Sequence, residues 1–423
     1  MQSLSFDEFV KTSWSDWQAA LEKELKGKSP DILNWKDDDG LLHSPYYRPG
    51  FTFPFSTPDL KKEWAVLEEF DMRNPGVNRS ILTALNGGVN AIEVQGALTD
   101  GSCELVFQDV ILPYIQLHFD GSASTGINGA FAHYVDKKGY TRESIQGTVQ
   151  ISSPTDEGIA EILHEWPKLS VVAADARTAH SMGSSPSDDI LLCLSRGHEV
   201  LLTLLRAGID PERISNGIQF NLTSGRSFFT EMAKMLALRI LWRKLAAGYN
   251  LEGNLSLMVS TSDFWQSGID VENNLLRASA QAMSAICGGA DVLHIRPHDG
   301  WKGDGSEESR RWARNISHLI SDESGLAVHR QAARQSHMVQ SLVSSLCNHT
   351  WKRFVESENA GGWPVIGDSL LAGISERGNK VRETVADATQ VMIGVNKYPG
   401  RADEHIAGAR AGRASSIIEN SGI

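Results

Sequence analysis

The chain has 423 residues, 41% of them hydrophobic and 22% charged, with a formal net charge of −12. That suffices for a large core, and the acidic balance argues against a nucleic-acid or anionic-membrane surface. No run of about 18 apolar residues is present, so no membrane span is expected; the N-terminus lacks the apolar stretch of a signal peptide, and Cys103, Cys193, Cys287 and Cys347 form no CxxC pair, which suits a cytoplasmic protein with reduced thiols.

Residues 1–60 predict an amphipathic helix in "MQSLSFDEFVKTSWSDWQAALEKELKGK" and then an extended arm, because Pro45, Pro49, Pro54 and Pro58 forbid a continuous helix. Tyr46, Tyr47, Phe51, Phe53 and Phe55 make this arm a candidate contact with a partner, or equally a strap over the chain's own barrel. From residue 90 onward, short β-rich runs alternate with helical stretches: "NAIEVQG", "YIQLHFDG", "KLSVVAADA", "NGIQFNLTS", "NLSLMVSTS", "DVLHIRPHD", "GLAVHRQAA" and "VMIGVNKY". Between them "FFTEMAKMLALRILWRKLAAGY" has the i, i+3, i+4, i+7 spacing of an amphipathic helix, and in "HSMGSSPSDD" Ser187 or Asp188 is placed to cap one. About eight strand–helix alternations predict a (β/α)8 TIM barrel over 61–400, followed by a C-terminal helix over 401–423.

Several of these runs carry polar residues: Gln116 and His118, Gln219 and Asn221, Ser260 and Ser262, His294 and Arg296. Most barrels fill their interior with branched aliphatics. The polar residues therefore predict either a lumen that holds a long polar ligand along its axis or side chains that face the loop ends. His294, His298, His329 and His337 have no paired metal spacing, so no metal is expected.

The block "WQAALEKELKGKSPDILNWKDDDGLLHSPYY" resembles the N-terminal arm of the methylmalonyl-CoA mutase family. The stretches "VENNLLRASAQAMSAICGGADVLHIRPHD", "RRWARNISHLISDESGL" and "VMIGVNKYP" are similar to the same family. The resemblance implies an adenosylcobalamin-dependent carbon-skeleton rearrangement, with the CoA chain threaded along the barrel axis and a cobalamin domain after the barrel. Asp403, His405 and Gly408 spell that domain's Asp-x-His-x-x-Gly loop, but only 15 residues follow Gly408; the match is read as accidental, with no cofactor bound by this chain.

Against the family's competent barrels the candidate site reads as degenerate. On the fourth strand Phe220 and Asn221 stand for a Tyr-His pair. Gln331 and Arg334, in "QAARQSHMVQ", stand in the "DPAGGSYYVE" block, whose glycine pair becomes Arg334 and Gln335. Thr148 and Gln150 in "TVQISSP" are the matching substrate-binding remnants. The resemblance thus implies the small, non-catalytic subunit of an isomerase. It would pair as a heterodimer with a large catalytic chain that carries adenosylcobalamin, or associate as a homodimer in isolation. The alternatives are a mutase barrel served by a separate cobalamin-domain protein and a CoA-ester-binding pseudoenzyme.

Overall fold

The computed structural model describes residues 12–47, 53, 55, 60, 61, 63–150 and 158–400. Helix α1 (Trp14–Glu24) is opened by Ser13, whose hydroxyl accepts from the Asp16 N–H while the Asp16 carboxylate accepts from the Ser13 N–H. A hairpin of β1 (Trp35–Lys36) and β2 (Leu42–His43) follows. Then eight parallel strands close a barrel: β3 (Ala65–Asp71), β4 (Ala91–Gln95), β5 (Gln116–Phe119), β6 (Gln146–Gln150), β7 (Leu169–Asp175), β8 (Ile218–Ser224), β9 (Ser256–Thr261) and β10 (Val292–His294), which pairs back onto β3. Helices α2 (Val77–Asn86), α3 (Asp100–Val106), α4 (Ala132–Lys137), α5 (Gly158–Glu165), α6 (Arg177–Met182), α7 (Pro186–Arg206), α8 (Pro211–Asn216), α9 (Phe228–Ala247), α10 (Asn273–Gly288) and α11 (Glu307–His318) connect and surround them. Short α12 (Leu326–His329) and the long α13 (His337–Asn359) and α14 (Trp363–Ala386) come last. The expected TIM barrel is the fold, and no helix of the described residues is long and apolar enough to cross a membrane.

Two of the eight expected strands are not strands, and two real ones were missed. "GLAVHRQAA" is α12 and a short 3-10 turn, started by Gly325 at φ +66°. "VMIGVNKY" is a turn, because the Asn396 side chain occupies the backbone groups a strand would use: it donates to the carbonyls of Val385 and Gln390 at 2.7 Å each and accepts from the Met392 N–H at 2.8 Å. The barrel takes β3 and β6 instead.

Helix α9 also departs from expectation. From Thr230 to Trp242 every residue is buried, because α7, α10 and α13 all pack on it. Charged residues are tolerated there only in pairs: Lys234 Nζ lies 2.8 Å from Asp189 and 2.6 Å from Glu231, and also donates to the Thr223 carbonyl. Burial opposes the lysine's charge most strongly, but Asp189 and Glu231 outweigh it and raise its pKa. The N-cap of α7 is Ser185, with Asp188 as its reciprocal partner, rather than Ser187 or Asp188. Where α14 crosses the end of α6, a Cβ on Gly183 would stand 2.4 Å from the Gly378 Cα, and Gly183 has φ +102°; both conditions demand glycine.

The arm meets its own barrel layer through the tip of the hairpin and through Phe53 and Phe55. Asp39, at the tip of the β1–β2 hairpin, accepts from the Ser185 hydroxyl, from the Ser187 hydroxyl and from the Ser187 N–H at 3.0 Å, and so sits on the N-terminus of α7. Burial raises its pKa, opposed by those hydrogen bonds. Asp38 pairs with Arg226 at 2.9 Å, Trp17 meets Tyr46 edge-on, and Phe53 and Phe55 pack half-buried against the core; Phe51 lies outside the described residues. Replacing Asp39 by Ala leaves the α7 donors without their acceptor. We expect a loss of about 1–3 kcal/mol in urea unfolding and faster proteolysis between residues 28 and 60.

Candidate functional site

In a barrel, alternate side chains point inward, and the strand registers say which. Glu69 stands beside Glu93, Glu93 beside His118, His118 beside Thr148, Asp175 beside Asn221, Thr223 beside Ser260, and Ser260 beside His294. The floor of the lumen is a small apolar cluster of Ala65, Leu67, Ala91, Met258 and Val292. Above it the lumen is polar, as the strands suggested, but those groups bind one another.

The centre is Arg177, the first residue of α6, two residues beyond the Asp175 that ends β7. All five of its N–H donors are used. Nε donates to Asp175 at 3.0 Å; Nη1 to Glu69 at 2.8 Å and Glu93 at 2.9 Å; Nη2 to Glu93 at 2.8 Å and Asp175 at 2.6 Å. One guanidinium therefore ties β3, β4 and β7 together across the C-terminal mouth. Asp175 also accepts from Asn221 at 3.0 Å, and Asn221 from Gln219 at 3.0 Å. On the far side His294 Nδ1 lies 3.2 Å from Glu69.

Three carboxylates facing one guanidinium do not titrate alike. Burial acts most strongly on each. Against it His294, Arg296 and Arg177 hold Glu69 well below the ordinary range, and Arg177 holds Asp175 below it. Glu93 goes the other way: burial, helped by Glu69 and Asp175, raises it despite Arg177. For Arg177 itself the attraction of Asp175, Glu93 and Glu69 overcomes burial and lifts the pKa well above its usual value. His118 is pushed down to about 3 by burial and then by Arg177, so it is neutral; its Nδ1 pairs with Thr148 Oγ1 at 2.7 Å.

The residues singled out from the sequence fall in three places. Asn221 and Thr148 are in the lumen, and Gln150 ends β6 opposite Val172. Phe220 and Asn221 lie on β8, the sixth strand of the barrel rather than the fourth. Phe220 faces outward, since strand side chains alternate: its ring meets Trp242 edge-on at 5.0 Å beneath Gly197 of α7, where an added Cβ would come within 2.8 Å of the ring. It is a core residue between barrel and helices and does not line the axis. Gln331 and Arg334 stand by Arg330 at the opposite, N-terminal end: Gln331 donates to the Leu60 carbonyl and Arg330 to those of Lys61 and Ala290, just before β3 and β10. Asp403, His405 and Gly408 lie outside the described residues.

Sequence reasoning missed Arg177, Glu69, Glu93 and Asp175. A signal existed: acids interrupt otherwise apolar strands in "AVLEEFD" and "AIEVQ", and "DAR" closes another strand with an acid and a base two positions apart. Substituting Met for Arg177 strands three buried carboxylates, which we expect to cost about 3–5 kcal/mol at neutral pH. The sign with pH follows. In the native chain Glu69 and Asp175 have lowered pKa values, so their stabilisation is present above the unfolded values of 4.5 and 3.8 and lost as pH falls. Without the arginine Asp175 loses its cation and burial raises it, while Glu69 keeps only His294 and Arg296, so the dependence reverses at Asp175 and weakens at Glu69. Urea unfolding should show the penalty shrinking from pH 7.5 to pH 5.

Comparison with known proteins places this geometry in a family. A family model described as methylmalonyl-CoA mutase matches residues 155–415. The methylmalonyl-CoA mutase small subunit of Porphyromonas gingivalis is 24% identical over 93% of this chain and 71% of its own length. The small subunit of Streptomyces virginiae is 25% identical over the same shares, and the large subunit of that organism is 26% identical over 93% of this chain but 63% of its own length. Identity alone thus does not separate small from large. The family match covers more than half of the sequence and the eight-stranded barrel accords with it: the chain belongs to the methylmalonyl-CoA mutase family.

Proposed function

We propose that this chain is a non-catalytic small subunit of an adenosylcobalamin-dependent methylmalonyl-CoA mutase, supporting a large chain on which the interconversion of methylmalonyl-CoA and succinyl-CoA takes place. The observation that carries the reading is the Arg177 cluster. A substrate threaded along the axis would have to displace a guanidinium whose five donors are satisfied by Glu69, Glu93 and Asp175. Breaking such a network uncovers several buried charges at once. The lumen's polar groups are also already engaged: His118 is neutral, His294 is turned to Glu69 and Ser260, and Asn221 is an amide bonded to Asp175.

Adenosylcobalamin supplies radical chemistry where it is bound, and the described residues of this chain do not fit it. The histidines at the C-terminal mouth are turned to protein partners: buried His180 Nε2 to Ser262 at 2.8 Å, buried His294 Nδ1 to Glu69 and Ser260, and half-buried His298 Nδ1 to Ser309 at 2.6 Å. The naming of both small and large subunits among the relatives supports pairing with a larger chain.

The test is co-expression with a large mutase chain, followed by native mass and turnover. A one-to-one complex is expected, with the cobalamin absorbance on the larger chain. Replacing Asn221 by Ala in this chain should change the turnover of the complex by less than about twofold, whereas loss of a group acting on the transition state costs about 100-fold or more. Turnover by this chain with a separate cobalamin-domain protein, and no large chain present, would overturn the proposal.

A further inference from the structure

Beside the Arg177 cluster, at the C-terminal mouth, β3, β10 and α11 enclose a cavity of about 110 Å³ lined by Glu69, His294, Arg296, Gly300, Arg310 and Arg314. Two of its three arginines are committed. Arg310 Nε donates to one oxygen of Glu68 at 2.5 Å and Arg314 Nη1 to the other at 2.9 Å. Arg296 differs: its backbone N–H is fixed on Thr261 Oγ1 at 2.8 Å, yet its Nε is buried and has no hydrogen-bond partner. A buried charged donor left unpaired is costly, and this one lies where a cavity leaves room for an acceptor.

The acids around it are already spent. Glu68 takes two arginines, Glu69 attracts Arg296 but gives its Oε1 to Arg177 and His294, and Asp304 accepts from Asn74 at 2.7 Å. The loop beyond β10 adds access. A Cβ on Gly303 would meet nothing within 4 Å, while Gly305, at φ +74°, folds tightly onto Pro297. Loops that follow the last strands of (β/α)8 barrels are recurrent phosphate-binding places.

We infer that this cavity is a binding site for a small oxyanion, presented as a planar pair of oxygens to the Arg296 guanidinium, of the kind a carboxylate or a phosphate offers. The cavity borders the mouth of the lumen through Glu69 and His294, and the inference does not depend on the supporting-subunit reading.

Calorimetric titration of the chain with sodium phosphate and, separately, with sodium acetate in dilute chloride buffer tests it. Saturable one-site binding is expected with at least one of them, and which one assigns the chemistry. Arg296→Gln should weaken it tenfold or more, and Arg296→Lys, which keeps the charge but not the fork, several-fold. Arg73→Gln, an exposed arginine paired with Asp71 outside the cavity, should leave it unchanged. Thermal melting of each variant confirms folding, and if Arg296→Gln fails to fold, Arg296→Lys carries the test. No saturable heat with either anion, or an affinity indifferent to both Arg296 variants, would overturn the inference.

Discussion

A single guanidinium sets the character of this barrel. Arg177 sits at a strand-to-helix junction, yet its donors reach β3, β4 and β7, so one residue cross-links strands that do not all neighbour one another. Placing Glu69, Glu93 and Asp175 inside a barrel would be prohibitive if any lacked its partner. With Arg177 in place the lumen is polar and closed. Loss of the arginine would expose the cluster's dependence on it, because Asp175 would lose its cation and Glu93 and Glu69 their shared donor.

The same logic recurs in the helix layer. Lys234 is wholly buried in α9 and stands only because Asp189 and Glu231 flank it. Next to Asp189, Asp188 is met by Arg353 from α13 and Arg377 from α14, and Asp39 of the hairpin caps the same helix end. The start of α7 is therefore where arm, outer helices and barrel meet. Asp175 and Arg177 lie a few residues upstream in the chain, so the geometry of the mouth and the seating of the arm share one segment, 175–189.

Much of this was legible in the sequence. The alternation of strands and helices gave the barrel, and a polar lumen was one of the two readings left open by the polar residues at His118, Asn221 and His294. Strand β3 was overlooked because its adjacent Glu68 and Glu69 break the apolar run; they face opposite ways, one to Arg310 and Arg314 outside, the other to Arg177 inside. Strand β6, "QGTVQ", is too polar to stand out. "VMIGVNKY" has strand composition, but no periodicity reveals that Asn396 will claim its backbone. For Phe220 a one-residue question of facing decides everything: outward it is core against Trp242, inward it would have blocked the axis. That one arginine would serve three distant acids cannot be read from spacing, since Glu69, Glu93 and Arg177 are brought together only by barrel closure.

The account rests on the axis being closed to acyl-CoA, and the most direct measurement is calorimetric titration of the isolated chain with methylmalonyl-CoA and succinyl-CoA. Closure by the Arg177 cluster predicts no saturable heat up to about 1 mM ligand, which corresponds to binding no stronger than roughly −4 kcal/mol. Stoichiometric, saturable binding of either thioester at micromolar concentration would contradict it and make the lumen a working acyl-CoA site.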